Sequence, residues 1–161
     1  MPYRLLLILT LTVFLHGCVT ATGKPFHSVE KTTSETALLY LYRSDSTGYV
    51  RTPEVLINGE KTTELPNNSY YSIKLPPGNY NIKTKWAWDV SAPPIDYNIE
   101  LQGGGTYFVQ LWAGSRTEGF TLTGIPSYPI MPDVSFFSAA FLQTEAEAMP
   151  ILSNTKAVTN H

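Results

Sequence analysis

Residues 80–101 alternate. Tyr80, Ile82, Thr84, Trp86 and Trp88 fall on one side of an extended chain, and Asn81, Lys83, Lys85 and Ala87 on the other. After the break at Pro93-Pro94, Ile95, Tyr97, Ile99 and Leu101 face one way and Asp96, Asn98 and Glu100 the other. A period of two across neighbouring segments belongs to half-buried strands; an amphipathic helix repeats its apolar positions every three and four residues. Paired antiparallel, the two strands can set Lys83 and Lys85 opposite Asp96 and Glu100. Such pairs fix register and keep an outer face soluble.

The flanking chain has the same grammar. Residues 37–42 (ALLYLY) are continuously apolar and stop at Arg43, which suits a central strand buried on both faces. Val55-Leu56-Ile57 runs into Asn58-Gly59, the pair that a type I′ hairpin turn demands. Tyr71, Ile73 and Leu75 alternate and lead to Pro76-Pro77-Gly78, where a type II turn is expected. Gly103, Gly104 and Gly105 turn the chain into a further strand over 106–112. Twelve prolines, eleven glycines, ten tyrosines and seven phenylalanines fit strands cut by turns. Apolar residues at 43% are enough for one core. The expected fold is mainly β: a small antiparallel β-sandwich over residues 37–150. Pro126, Pro129 and Pro132 mark 124–135 as a loop or edge-hugging segment. Residues 136–149 are expected to form a short helix ended by Pro150, and 151–161 a disordered tail.

The N-terminus is an address. Arg4 precedes an uncharged stretch over residues 5–15. As a helix it spans about 16 Å, half of the roughly 30 Å hydrocarbon core of a bilayer. That length suits the apolar region of a signal peptide. Leu15-His16-Gly17-Cys18 then resembles the lipobox of bacterial lipoproteins, with His16 standing where a small residue is usual. The resemblance implies cleavage between Gly17 and Cys18, removal of residues 1–17 and lipidation of Cys18, the chain's single cysteine. Two or more acyl chains hold firmly where one holds marginally. Val19, rather than Asp, implies delivery to the outer membrane with the domain facing the periplasm. Residues 18–36, rich in Thr and Ser, are expected to be a flexible tether.

From Leu38 to Ile82 the chain resembles the domain-of-unknown-function 2846 family of bacterial lipoproteins. The matching features are the strand ending at Arg43, Val55-Leu56-Ile57-Asn58-Gly59, Leu65, Tyr71, Leu75-Pro76-Pro77-Gly78, Tyr80 and Ile82. The Leu-Pro-Pro-Gly-x-Tyr turn is also similar to that of transthyretin-like and PEGA-type sandwiches. The family implies a lipid-anchored β-sandwich and carries no functional residue beyond Cys18.

Little in the chain can do chemistry. His27 and His161 lie in expected disorder and His16 in the leader, so a Ser-His-Asp hydrolase or a histidine metal site has nothing to use. Gly103 to Gly105 lack the Lys-Ser/Thr of a phosphate loop. A net charge of −2 gives no footprint for nucleic acid. No cofactor and no metal is expected. The candidate binding surface is Trp88, Trp112 and Arg116, where aromatics meet breaks in the strands, with Arg116 expected in an exposed loop. The expected function is a non-enzymatic binding or assembly module, held in the membrane by its lipid, with an envelope protein or glycan as partner. The alternative is an envelope polysaccharide or peptidoglycan hydrolase acting through carboxylates such as Asp96 and Glu100.

Overall fold

The structure, a computed structural model, describes residues 21–44, 51–125 and 128–159. The leader, Gly17, Cys18, Val19 and Pro126 lie outside the described residues. The apolar run forms β1 (Ala37–Arg43), buried at every position. It needs neighbours on all sides and has them. β4 (Ser69–Leu75) pairs it antiparallel, Ala37 opposite Leu75, and β7 (Thr106–Ile125) pairs it parallel, Leu38 opposite Thr106. β8 (Tyr128–Gln143) and the two-residue β9 (Lys156–Ala157) complete a sheet in the order β8-β7-β1-β4-β9. A second sheet holds β2 (Glu54–Ile57), β3 (Glu60–Glu64), β5 (Gly78–Lys85) and β6 (Asp96–Leu101), in the order β3-β2-β5-β6.

The sandwich follows from the two faces of β1. Leu39 and Leu41 point between the sheets and meet Val55, Ile82, Ile99, Leu101, Val109 and Leu111. Leu38, Tyr40 and Tyr42 point the other way and meet Phe26, Phe108, Ala148 and Leu152. The last two come from the helix α1 (Glu145–Leu152), which covers the outside of the five-stranded sheet. Each fully buried large apolar side chain contributes about 1.5–3 kcal/mol. A polar chain crosses that outer face: Tyr42 Oη donates to Gln143 Oε1, Gln143 Nε2 to Gln110 Oε1 at 3.1 Å, and Gln110 Nε2 to Ser44 Oγ at 3.1 Å. Burial, with Glu147 adding to it, pushes the Tyr42 phenol up to about 12.

The Asn58-Gly59 hairpin forms as expected, with φ of 51° and 84° and Ile57 opposite Glu60. Lys83 faces Asp96 at 3.0 Å. Lys85 instead faces Glu54 of β2 at 3.6 Å, because β6 begins at Asp96, opposite Lys83, and the same register sets Glu100 opposite Asn79.

Other expectations give way. The β1–β7 and β4–β9 ladders are parallel, so the five-stranded sheet is mixed. Gly78 has φ 156° in a bend that carries the chain from one sheet to the other, and no tight type II turn is needed there. The alternation from Tyr80 stops at Lys85; Trp88 sits beyond the strand and is 98% exposed. Residues 136–143 are strand, because β7 offers them a long backbone edge and aromatic side chains favour it. Pro129 and Pro132 lie inside β8, an edge strand, where a missing donor is tolerated. The helix starts only at Glu145, and Pro150 lies within it. The expected tail is built in as far as β9: Leu152 and Thr155 are buried, and Ala157 pairs with Tyr70. The expected tether is likewise fixed at points from Ala21 onward, with Ala21 and Phe26 buried and most of 22–36 exposed. Gly23 N donates to Ala157 O at 3.1 Å, Pro25 bridges Lys156, and the Phe26 ring meets Tyr40 and Tyr70 edge-on at 5.9 and 5.4 Å. Phe26 supplies the apolar contact and β9 the open backbone that a polar segment needs in order to settle.

Candidate functional site: the ribbon and loop end of the sandwich

β1 and β5 end at one end of the sandwich, at Arg43 and Lys85. The loop over 86–95 and the ribbon of β7 and β8 leave from there. β7 pairs β1 only as far as Gln110; beyond it, β8 is the partner, out to Ile125 opposite Tyr128. From Ser115 to Ile125 this two-stranded ribbon reaches roughly 35 Å at about 3.4 Å per residue.

Arg43 closes the space between the sheets at this end. It is 1% exposed; Nη1 donates to Arg51 O at 2.9 Å and lies 3.4 Å from Leu65 O. Its guanidinium carbon stands 5.2 Å from the centre of the Trp86 ring. With Thr84, Ile95, Leu111, Trp112 and Ala113 these residues line a narrow, half-open crevice. The loop is pinned at both sides: Arg51 pairs with Asp89, and Ser138 Oγ donates to Pro93 O.

Residues opposite one another across β7 and β8 share a face, so the register sorts the ribbon. Leu111, Ala113, Ala140 and Ser138 face the second sheet, and the 86–95 loop packs there through Ala92 against Ala113. Trp112, Gly114, Arg116, Phe137 and Phe141 lie on the opposite face. The Trp112 and Phe137 ring centres are 4.7 Å apart. Gly114 permits this: a Cβ there would come within 2.6 Å of the indole of Trp112. Arg116 is in a strand and not the expected loop; its Nε donates to Glu118 at 3.1 Å, and Ser135 Oγ donates to the same carboxylate at 2.6 Å. The Ser135 bond, then Arg116, holds the Glu118 carboxyl below its usual range. Trp88, Trp112 and Arg116 therefore share one end of the sandwich, but the sheet stands between the Trp88 loop and the other two.

The carboxylates of the alternative lie elsewhere, on the solvated outer face of the second sheet. Asp96 accepts from Asn81 Nδ2 at 2.6 Å and pairs with Lys83, and both hold its carboxyl below the usual range. Glu100 borders a shallow depression of about 470 Å³ with Asn58, Asn79, Asn81 and Asn98. Among the described residues, no three His, Cys, Asp or Glu side chains converge as a metal ion would need. No helix among them is long and apolar enough to cross a membrane.

The model of the family described as "Protein of unknown function (DUF2846)" matches residues 33–121, more than half of the chain. The chain belongs to this family. The matched span runs from just before β1 to within β7, so β8, α1 and β9 of this DUF2846 member lie beyond it. No curated protein and no solved structure matches the chain.

Sequence reasoning placed Trp88 at a surface but missed Arg43, which reads as the point where an apolar strand meets water. A cation directly after six apolar residues, with three tryptophans downstream to cover it, was the available signal.

Proposed function

We propose that this DUF2846 protein is a lipid-anchored envelope lipoprotein acting as a non-enzymatic binding or assembly module, delivered to the outer membrane and facing the periplasm. One observation carries the reading. The chain is already built into the sheet edge at Gly23, so Cys18 stands only three residues before Ala21. Fully extended, that is about 10 Å. A lipid on Cys18 would hold the domain against the membrane surface, with its ribbon, its loops and the exposed Trp88 available to an envelope protein or glycan. In the hydrolase alternative, the engagement of Asp96 by Lys83 and Asn81 fits an ionised base or nucleophile and leaves Glu100 to act as the acid.

Metabolic labelling with a fatty acid tests the anchor. Cys18→Ser should abolish incorporation and leave uncleaved precursor; unchanged acylation and processing would end the proposal. Val19→Asp should move the protein from the outer to the inner membrane on a density gradient. Hydrolysis of peptidoglycan or polysaccharide by the purified protein, lost in Asp96→Asn or Glu100→Gln, would replace the binding reading with the enzymatic one.

A further inference from the structure

Sheet edges are templates for further strands unless something blunts them. Three of the four edges here are blunted. β3 carries Glu60, Lys61 and Glu64 in five residues. β6 is six residues long and carries Asp96 and Glu100. β9 is two residues long, and Pro25 already bridges it. β8 is different. It runs for 16 residues, and no charged residue occurs from 134 to 143. Val134, Phe136, Phe141 and Leu142 remain 39%, 40%, 49% and 52% exposed along it.

The order of side chains says what fits this edge. Residues 136–142 read Phe-Phe-Ser-Ala-Ala-Phe-Leu: two bulky residues, three small ones, two bulky ones, symmetric about Ala139. An antiparallel strand added to an edge pairs residues whose backbone groups point outward, so two identical strands can pair only with an even sum of positions. Centred on Ala139, the pairing sets Phe136 against Leu142 on the face toward the second sheet. It sets Phe137 against Phe141 on the other face, where Trp112 already packs, tilted, against Phe137. Ser138 meets Ala140, and Ala139 meets its own copy. Moving the centre by one residue either way sets bulky side chains against small ones or against Gln143. With no charge from 134 to 143, no like charges meet within the paired segment; the first acidic residues, Asp133 and Glu145, fall beyond its two ends.

We propose that β8 is a homodimer edge: two copies of this chain pair β8 antiparallel about a two-fold axis at Ala139, joining their five-stranded sheets into one of ten strands. The interface is isologous, so each copy presents the same patch. The contact is one edge strand, residues 135–143, against its copy, whereas stable complexes bury roughly 800 Å² per partner. The dimer is therefore concentration-dependent, and confinement to a membrane raises the effective concentration that favours it.

Disulfide trapping in intact cells, with the full-length chain, tests the register. Residues directly opposite have Cα atoms about 4.5–5.5 Å apart, within the span of a disulfide. Ala139→Cys should give a disulfide-linked dimer under mild oxidant. Ser135→Cys and Gln143→Cys should each give at least tenfold less alone, yet cross-link efficiently when combined in one chain. The same set in a Cys18→Ser background separates this proposal from the anchor: trapping that persists in concentrated purified Cys18→Ser protein supports the dimer whatever becomes of the lipid. Leu142→Lys, at a half-exposed position, should abolish trapping while the melting temperature stays within a few degrees. Equal trapping at all positions, trapping unaffected by Leu142→Lys, or a monomer by sedimentation at hundreds of micromolar would overturn the proposal. So would protection of the β8 edge that appears only with lipid vesicles, which would give the edge to a bilayer.

Discussion

A guanidinium has five donors and keeps its charge, so burying one requires acceptors in its plane and a tolerant surface above it. Arg43 has both: the Arg51 and Leu65 carbonyls and the Trp86 face. Removing it leaves a cavity and buried acceptors without their donor. Arg43→Ala should cost about 2–4 kcal/mol in urea unfolding followed by tryptophan fluorescence. Arg43→Lys should recover less than half, because an ammonium cannot lie flat over the indole and reach both carbonyls. Full recovery by Lys would mean that charge alone matters there. Ile82 and Lys83 were easier to read. Period two assigns them to opposite faces, and Ile82 is fully buried while Lys83 pairs with Asp96 outside. Periodicity reports faces; it is blind to a single cation turned inward at the end of a strand.

The same limit operates among elements. Residues 37–101 could be divided into strands because each run ends at its own turn or charge signal and carries either an alternation or, in 37–42, an unbroken apolar stretch. Residues 136–143 carry neither; they are strand because β7 lies beside them, and that information is not local. Helix α1 is local, and its signal is the capping box. Thr144 N donates to Glu147 Oε2 at 2.9 Å, and Glu147 N reaches back to Thr144 Oγ1 at 3.4 Å. The Thr144 backbone N–H foremost, and then the Thr144 hydroxyl, which donates to the same Glu147 oxygen at 2.8 Å, hold the Glu147 carboxyl below its usual range. A carboxyl depressed in the folded state contributes stability above its unfolded pKa and loses it as pH falls through the folded value. Thr144→Ala should therefore lower stability by about 1 kcal/mol at neutral pH. In thermal melts, the gap between the native chain and Glu147→Ala should be open at pH 7 and close towards pH 3. A gap that does not change with pH would show that Glu147 acts through packing.

On the scale of the whole molecule, the layers decide what the ribbon can do. β1 has a sheet neighbour on each side, the second sheet on one face and α1 on the other. Among the described residues, the ribbon beyond Ser115 pairs only within its own two strands, and an isolated two-stranded hairpin is marginal in water. Pairing at Ala139 changes this for the ribbon root, which becomes internal to a continuous sheet. The two-fold axis then stands perpendicular to the strands, so the two ribbons point in opposite directions. Lipids on both Cys18 residues can enter one leaflet only if that sheet lies along the membrane. Hydrogen exchange resolves these layers. Amides of β1 should exchange only through global unfolding, and those of 117–125 through local opening, faster by at least about two orders of magnitude. Raising the protein from about 1 to several hundred micromolar should slow exchange in 136–142 and leave β3 and β6 unchanged, since mass action protects only the surface that is buried. A ribbon as protected as β1 in the dilute protein would refute its being unsupported. Protection rising evenly across all four edges would mean non-specific association, because only β8 has the side-chain order that matches itself.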